Sequence, residues 1–162
     1  MRVDVRALAN FVLSVAKKED LEVSNLAINK IVYFMYVEYL LAFNRKLTSA
    51  KIEAWEHGPV FRELYSAFKK FGDLAITEPA KKIDAQTGKF VVCELELKDQ
   101  DSDFLMEVAR KLLQYSASKL RNLSHVPGSP WDMVWNHREL INAGMEITDE
   151  IILSSNNQSW RN

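Results

Sequence analysis

The residues of this 162-residue chain that could do chemistry are few. Cys93 could serve as a nucleophile only beside a base and in an electropositive setting. It stands instead between Val92 and Glu94 in a strand-like run, where a packed thiol is the expectation. Ser129 follows Gly128 but lacks the G-x-S-x-G frame of a nucleophile elbow, and its place before Pro130 fits a helix cap. The histidines, His57, His125 and His137, are far apart, and only Glu56 and Glu63 lie near the first, so their spacing predicts no metal site. His57 reads as a turn residue beside Gly58-Pro59, His125 as the end of a short helix and His137 as a surface residue. Glu53 and Glu56 could do acid–base work, but glutamates near a helix start are commonly solvated. There is no Gly-rich loop ending in Lys-Ser or Lys-Thr, no G-x-G-x-x-G and no His-Glu-x-x-His. The expectation is therefore no catalytic residue, no metal, no cofactor and no small-molecule substrate.

The elements that carry these residues follow from the apolar pattern. Leu8, Phe11, Val12, Val15 and Ala16 share one helical face, which ends at Lys17, Lys18, Glu19 and Asp20. Ser24 or Asn25 can cap a second helix, apolar around most of its circumference through Ile28, Ile31, Phe34, Met35 and Leu40, which must be packed on several sides. A short extended piece, Ile52 to Trp55, is broken at Gly58-Pro59, and Pro59 is expected to open the next helix. That helix carries Phe61, Leu64, Tyr65, Phe68 and Phe71 on one stripe and stops at Gly72. Lys81 to Ile83 and Phe90 to Leu97, around a Thr87-Gly88 turn, predict a β-hairpin. Ser102 or Asp103 can cap a helix with Leu105, Val108, Ala109, Leu112 and Leu113 inward. A short helix through Leu120 and Leu123, a loop at Val126 to Gly128, a helix opened by Ser129-Pro130, and a last element from Ile147 to Leu153 complete the chain. The fold class is mainly α (α+β): one compact helical domain over 1–153 with a small antiparallel hairpin, and a polar tail over 154–162 that is mobile on its own.

Charge and composition narrow the partners. Lys and Arg number 21 against 22 for Asp and Glu, so no long-range field draws in nucleic acid or anionic lipid. A helix-turn-helix around Ser24 to Phe34 fits poorly, since a recognition helix exposes polar residues and this one is apolar nearly all round. Nucleic acid is disfavoured as a partner. No stretch has the ~20 uninterrupted apolar residues that a membrane crossing asks for, and one cysteine with no signal-like start points to the cytoplasm.

Three passages stand out: Ile28-Asn29-Lys30-Ile31-Val32-Tyr33-Phe34, then Ile52-Glu53-Ala54-Trp55-Glu56-His57-Gly58-Pro59-Val60 with Tyr65, Phe68, Phe71 and Gly72 following, and Leu123-Ser124-His125 with Gly128-Ser129-Pro130-Trp131. Together they resemble the Panacea-domain, or SocA-like, antitoxins. The second is the most specific. Met35, where a small residue is common, and Glu56-His57 before Gly-Pro depart from the usual pattern.

The resemblance implies neutralisation of a cognate protein toxin encoded by a neighbouring gene in bacteria or phages. Some members resemble adaptors that present the toxin to a AAA+ protease. The contact residues expected are Trp55, Glu56, His57, Gly58, Pro59 and Phe61 at one turn, Ser129, Pro130 and Trp131 at the other, and Trp160 in the tail. Trp and Tyr dominate interface hot spots, yet Trp55, Trp131 and Trp135 could equally hold the core around the two turns. Trp160 alone resists that core role. The competing class is a phage- or mobile-element-encoded regulator that binds a host factor without a toxin.

Overall fold

The computed structural model describes residues 3–136 and 144–155. Its organising element is α2 (Asn25–Phe43), whose residues are all buried from Ala27 to Leu40. A helix apolar on every side is covered on every side. Ser24 caps it by accepting from the Ala27 N–H at 3.3 Å, and Asn44 ends it in the left-handed conformation. By length and hydropathy α2 passes as a membrane span, but 78% of that window is buried within the fold, as in a core helix.

Helix α1 (Val5–Lys18) lays Leu8, Val12, Val15 and Ala16 inward, in contact with α2. α4 (Asp99–Leu113) buries Leu105, Val108, Ala109, Leu112 and Leu113, the residues its pattern predicts. Its start differs from expectation. The helix begins at Asp99 rather than after Ser102 or Asp103, and Lys98 gives it no side-chain cap. Asp99 and Asp101 in the first turn offset the positive end of the helix instead. α5 (Ala117–Ser124) is capped by Ser116, and α6 (Pro130–Trp135) opens at Ser129-Pro130 as predicted. α7 (Asp149–Ser154), capped by Thr148, packs on α2 and α6. Ser154, the first residue of the expected tail, thus closes a helix; Trp160 and His137 lie outside the described residues.

The rest is two small antiparallel two-stranded sheets. β1 (Ile52–Trp55) and β2 (Gly58–Phe61) are joined by Glu56-His57 as a two-residue turn. Pro59 therefore does not open the next helix, as the sequence suggested. It lies in β2, and α3 (Arg62–Phe68) starts three residues later. The reason is register. Ala54 N–H donates to the Met145 carbonyl and Ile147 N–H to the Ile52 carbonyl, so these backbone groups of β1 face away from β2. Ala54 and Pro59 then form a non-hydrogen-bonded pair, and the N–H that proline lacks falls on the outer edge, where no ladder bond is lost. After α3 a 3₁₀ turn (Lys69–Phe71) ends at Gly72. β3 (Lys81–Ile83) and β4 (Phe90–Val92) make the predicted hairpin, although β4 stops at Val92 and Leu95 and Leu97 lean on the core from irregular chain.

Candidate functional site

The three sequence passages converge on the outer edge of β2. Because Pro59 and Phe61 sit at non-hydrogen-bonded positions, their free backbone groups point away from β1 and toward α2. There Asn29 Oδ1 accepts from the Phe61 N–H at 3.0 Å, and Lys30 Nζ reaches the Pro59 carbonyl at 3.5 Å. Asn29 donates in turn to the carbonyl and to Oδ1 of Asn25, and Asn25 donates to the Tyr65 carbonyl. The side chains of one helix thus supply what a third strand would supply from its backbone, and buried polar groups on both sides are satisfied. Asn29 and Lys30 are only 1% and 0% exposed. Burial, with the charge of Arg121 behind it, pulls the Lys30 ammonium down to about 8.

Gly58 is demanded twice over. Its φ of 117° suits glycine alone, and a Cβ there would lie 2.6 Å from Lys30 Cε and 2.9 Å from Ser124 Oγ. On the far side, the His125 ring joins α5 to the turn, with Nδ1 2.7 Å from the Arg121 carbonyl and Nε2 3.2 Å from the Glu56 carbonyl. The ring lies 3.6 Å, centroid to centroid, from Trp131, which stacks on Trp135. Trp131 Nε1 donates to the Trp55 carbonyl. Ser129 Oγ donates to the Ser124 carbonyl and accepts from the Asp132 N–H, while Asp132 accepts from the Gly128 N–H, so the loop before α6 is tied at both ends.

Burial sorts the expected contact residues into two kinds. Gly58, Pro59, Phe61, Ser129, Pro130 and Trp131 are buried, so they belong to the frame. Glu56 and His57 are exposed at the tip of the turn, and Trp55 is half-buried beside them. The Trp55 indole donates to Glu53 at 2.8 Å and meets the Tyr65 ring edge-on. Burial pushes the Glu53 carboxyl up, but hydrogen bonds from Arg62 and Trp55 outweigh it and hold the group below its ordinary value. Tyr65, expected on the inward stripe of its helix, is 38% exposed and joins Arg62 on this ledge. Tyr65 was not legible as a surface residue, because the spacing from Leu64 to Phe68 fits a stripe that includes it.

Ser124 lies beside His125, with Oγ 3.1 Å from Nδ1, but Ser124 is 2% exposed and its hydroxyl donates to the Arg121 carbonyl. Cys93 is 1% exposed, and burial pushes its thiol up, away from the reactive thiolate. Among the described residues no group of three or more His, Cys, Asp or Glu could hold a metal ion.

Residues 28–132 match the family model described as antitoxin SocA-like, Panacea domain. The chain belongs to this family. Across 154 residues it is 34% identical to antitoxin SocA of Caulobacter vibrioides (strain NA1000 / CB15N), an alignment that covers 93% of this chain and 80% of that protein. No solved structure matches. The Panacea domain match opens one residue before Asn29 and closes one residue after Trp131, so it encloses the residues that meet the hairpin from α2, α5 and α6, while Asn25 and Trp135 lie just outside it.

Proposed function

We propose that this Panacea-domain protein is an antitoxin that binds and neutralises a cognate protein toxin, the product of a neighbouring gene, in the cytoplasm. The observation that carries the reading is the identity to a protein named antitoxin over nearly the whole chain. The ledge supports it physically: Trp55, Glu56 and His57 at the hairpin turn, with Tyr65 of α3 beside them, are presented on a hairpin that α2, α5 and α6 fix from beneath. A surface already ordered before contact loses little entropy on binding, which favours tight association. Masking is the primary mode, and delivery of the bound toxin to a AAA+ protease is a second arm that the family resemblance suggests.

Co-expression with the adjacent reading frame tests the proposal. Growth should fail with the neighbour alone and recover with both proteins, and the two should co-purify. Rescue that persists in cells lacking AAA+ proteases assigns masking, whereas rescue lost there assigns delivery. A neighbour that is harmless alone, or toxic and unrelieved, removes the antitoxin reading.

A further inference from the structure

Strands β3 and β4 form a sheet of two, and among the described residues no bridge joins either outer edge to another segment. The ladder shows which groups are left bare. Asp84 N–H donates to the Lys89 carbonyl and Cys93 N–H to the Ala80 carbonyl, so the bonded pairs are 80 with 93, 82 with 91 and 84 with 89. Lys81 with Val92 and Ile83 with Phe90 are the non-hydrogen-bonded pairs, whose backbone N–H and C=O groups point out from the two edges. The side chains of the same four residues share one face, on which Ile83 is 62% and Phe90 72% exposed. Lys82 and Val91 take the other face, where the Lys82 charge acts on Asp4 and Cys93.

The root of this hairpin is clamped. Asn10 of α1 accepts from the Ala80 N–H at 2.7 Å and donates to the carbonyls of Ala80 and Cys93, both at 2.9 Å. One side chain therefore binds both strands where they leave the fold. A bare apolar edge that is held in place invites a further strand. The charges say which kind. Lys81 and Lys82 lie along β3, while the nearby carboxylates are engaged: Asp84 accepts from the N–H groups of Gln86 and Thr87, and Glu78 is paired with Lys70. A second copy pairing through β3 would set these lysines against their own counterparts, whereas an acidic segment meets opposite charge.

We propose that the edge of β3 is a docking site for an extended, acidic segment of the toxin, which adds as a third strand and lays an apolar side chain on Ile83 and Phe90. The proposal rests on the antitoxin reading and adds a second contact surface to it.

The test uses the full chain and the purified product of the neighbouring reading frame, in calorimetry and growth rescue. Ile83→Thr with Phe90→Thr keeps strand-forming residues but removes the apolar face, and Lys81→Glu reverses the charge. Each should weaken binding by about tenfold or more and impair rescue, with unchanged thermal melting. Amide exchange at Lys81 and Ile83 of the unmodified protein should slow in the complex, a measurement that needs no variant. Wild-type affinity in both variants, or unchanged exchange, overturns the docking edge and leaves the antitoxin reading standing. A wild-type protein that neither binds nor rescues overturns both. Sedimentation showing a homodimer that the same variants dissociate would give the edge to a second copy and overturn the toxin as its occupant.

Discussion

The indole N–H of Trp131 donates to the backbone carbonyl of Trp55 at 2.7 Å, across 76 residues of chain. This bond ties the end of β1 to the first turn of α6, and Trp131 is only 7% exposed. Trp131→Phe keeps an aromatic ring against His125 but leaves that carbonyl without its donor. The expected loss is about 1–3 kcal/mol of stability, read by urea denaturation. A loss below about 0.5 kcal/mol would mean that water replaces the indole.

Gly58→Ala should be costly from two sides at once. The positive φ strains any other residue by roughly 1–3 kcal/mol, and the new methyl group would press on Lys30 and Ser124, which are both buried. We expect a lower melting temperature together with faster amide exchange at Phe61, whose N–H depends on Asn29. Exchange unchanged at Phe61 would show that the turn yields without disturbing the edge of β2.

Lys30 predicts a pH dependence. Its folded value, about 8, lies below the ordinary 10.5. Between those values the unfolded chain binds more protons than the folded one, so stability rises with pH across that window. Below it both states are protonated and the whole burial cost is present. A shift of that size amounts to roughly 3 kcal/mol. Lys30→Met removes the charge and should be more stable than the parent at neutral pH, less about 1 kcal/mol for the Pro59 carbonyl left unmet. The gap should close as pH rises through the window. Denaturation curves for the two proteins that stay parallel from about pH 7 to about pH 10 would assign the slope to other groups.

Glu56→Ala and His57→Ala separate contact from frame. Both side chains are exposed, so folding stability should change by no more than about 0.5 kcal/mol. Toxin affinity should fall by severalfold or more if the ledge meets the toxin. Unaltered affinity and rescue in the double variant would take this turn out of the interface.

The helices were largely legible because their signals are local. The faces of α1 and α4, the wholly apolar α2 and the serine caps at Ser24 and Ser129 depend on residues a few positions apart. Pro59 was misread because proline suits both a first helical turn and an unbonded strand position, and what decides between them is the approach of Met145 and Ile147 to β1. The start of α4 was misread because capping residues were weighed above the acidic first turn. At the candidate site, the three passages were visible but not their meeting. Asn29 and Lys30 look like polar interruptions of a greasy helix until Phe61 and Pro59 are placed opposite them.

A helix standing in for a strand also divides the hairpin's partners between the two ends of the chain. The hairpin of β1 and β2 has only part of its bonding met by its own residues: the outer edge of β2 is met by residues 29 and 30 of α2, and that of β1 by Met145 and Ile147. The α2 residues leave the ribosome first, since synthesis runs from the N-terminus. The residues that receive the outer edge of β2 are thus synthesised before it, and those that receive β1 only after.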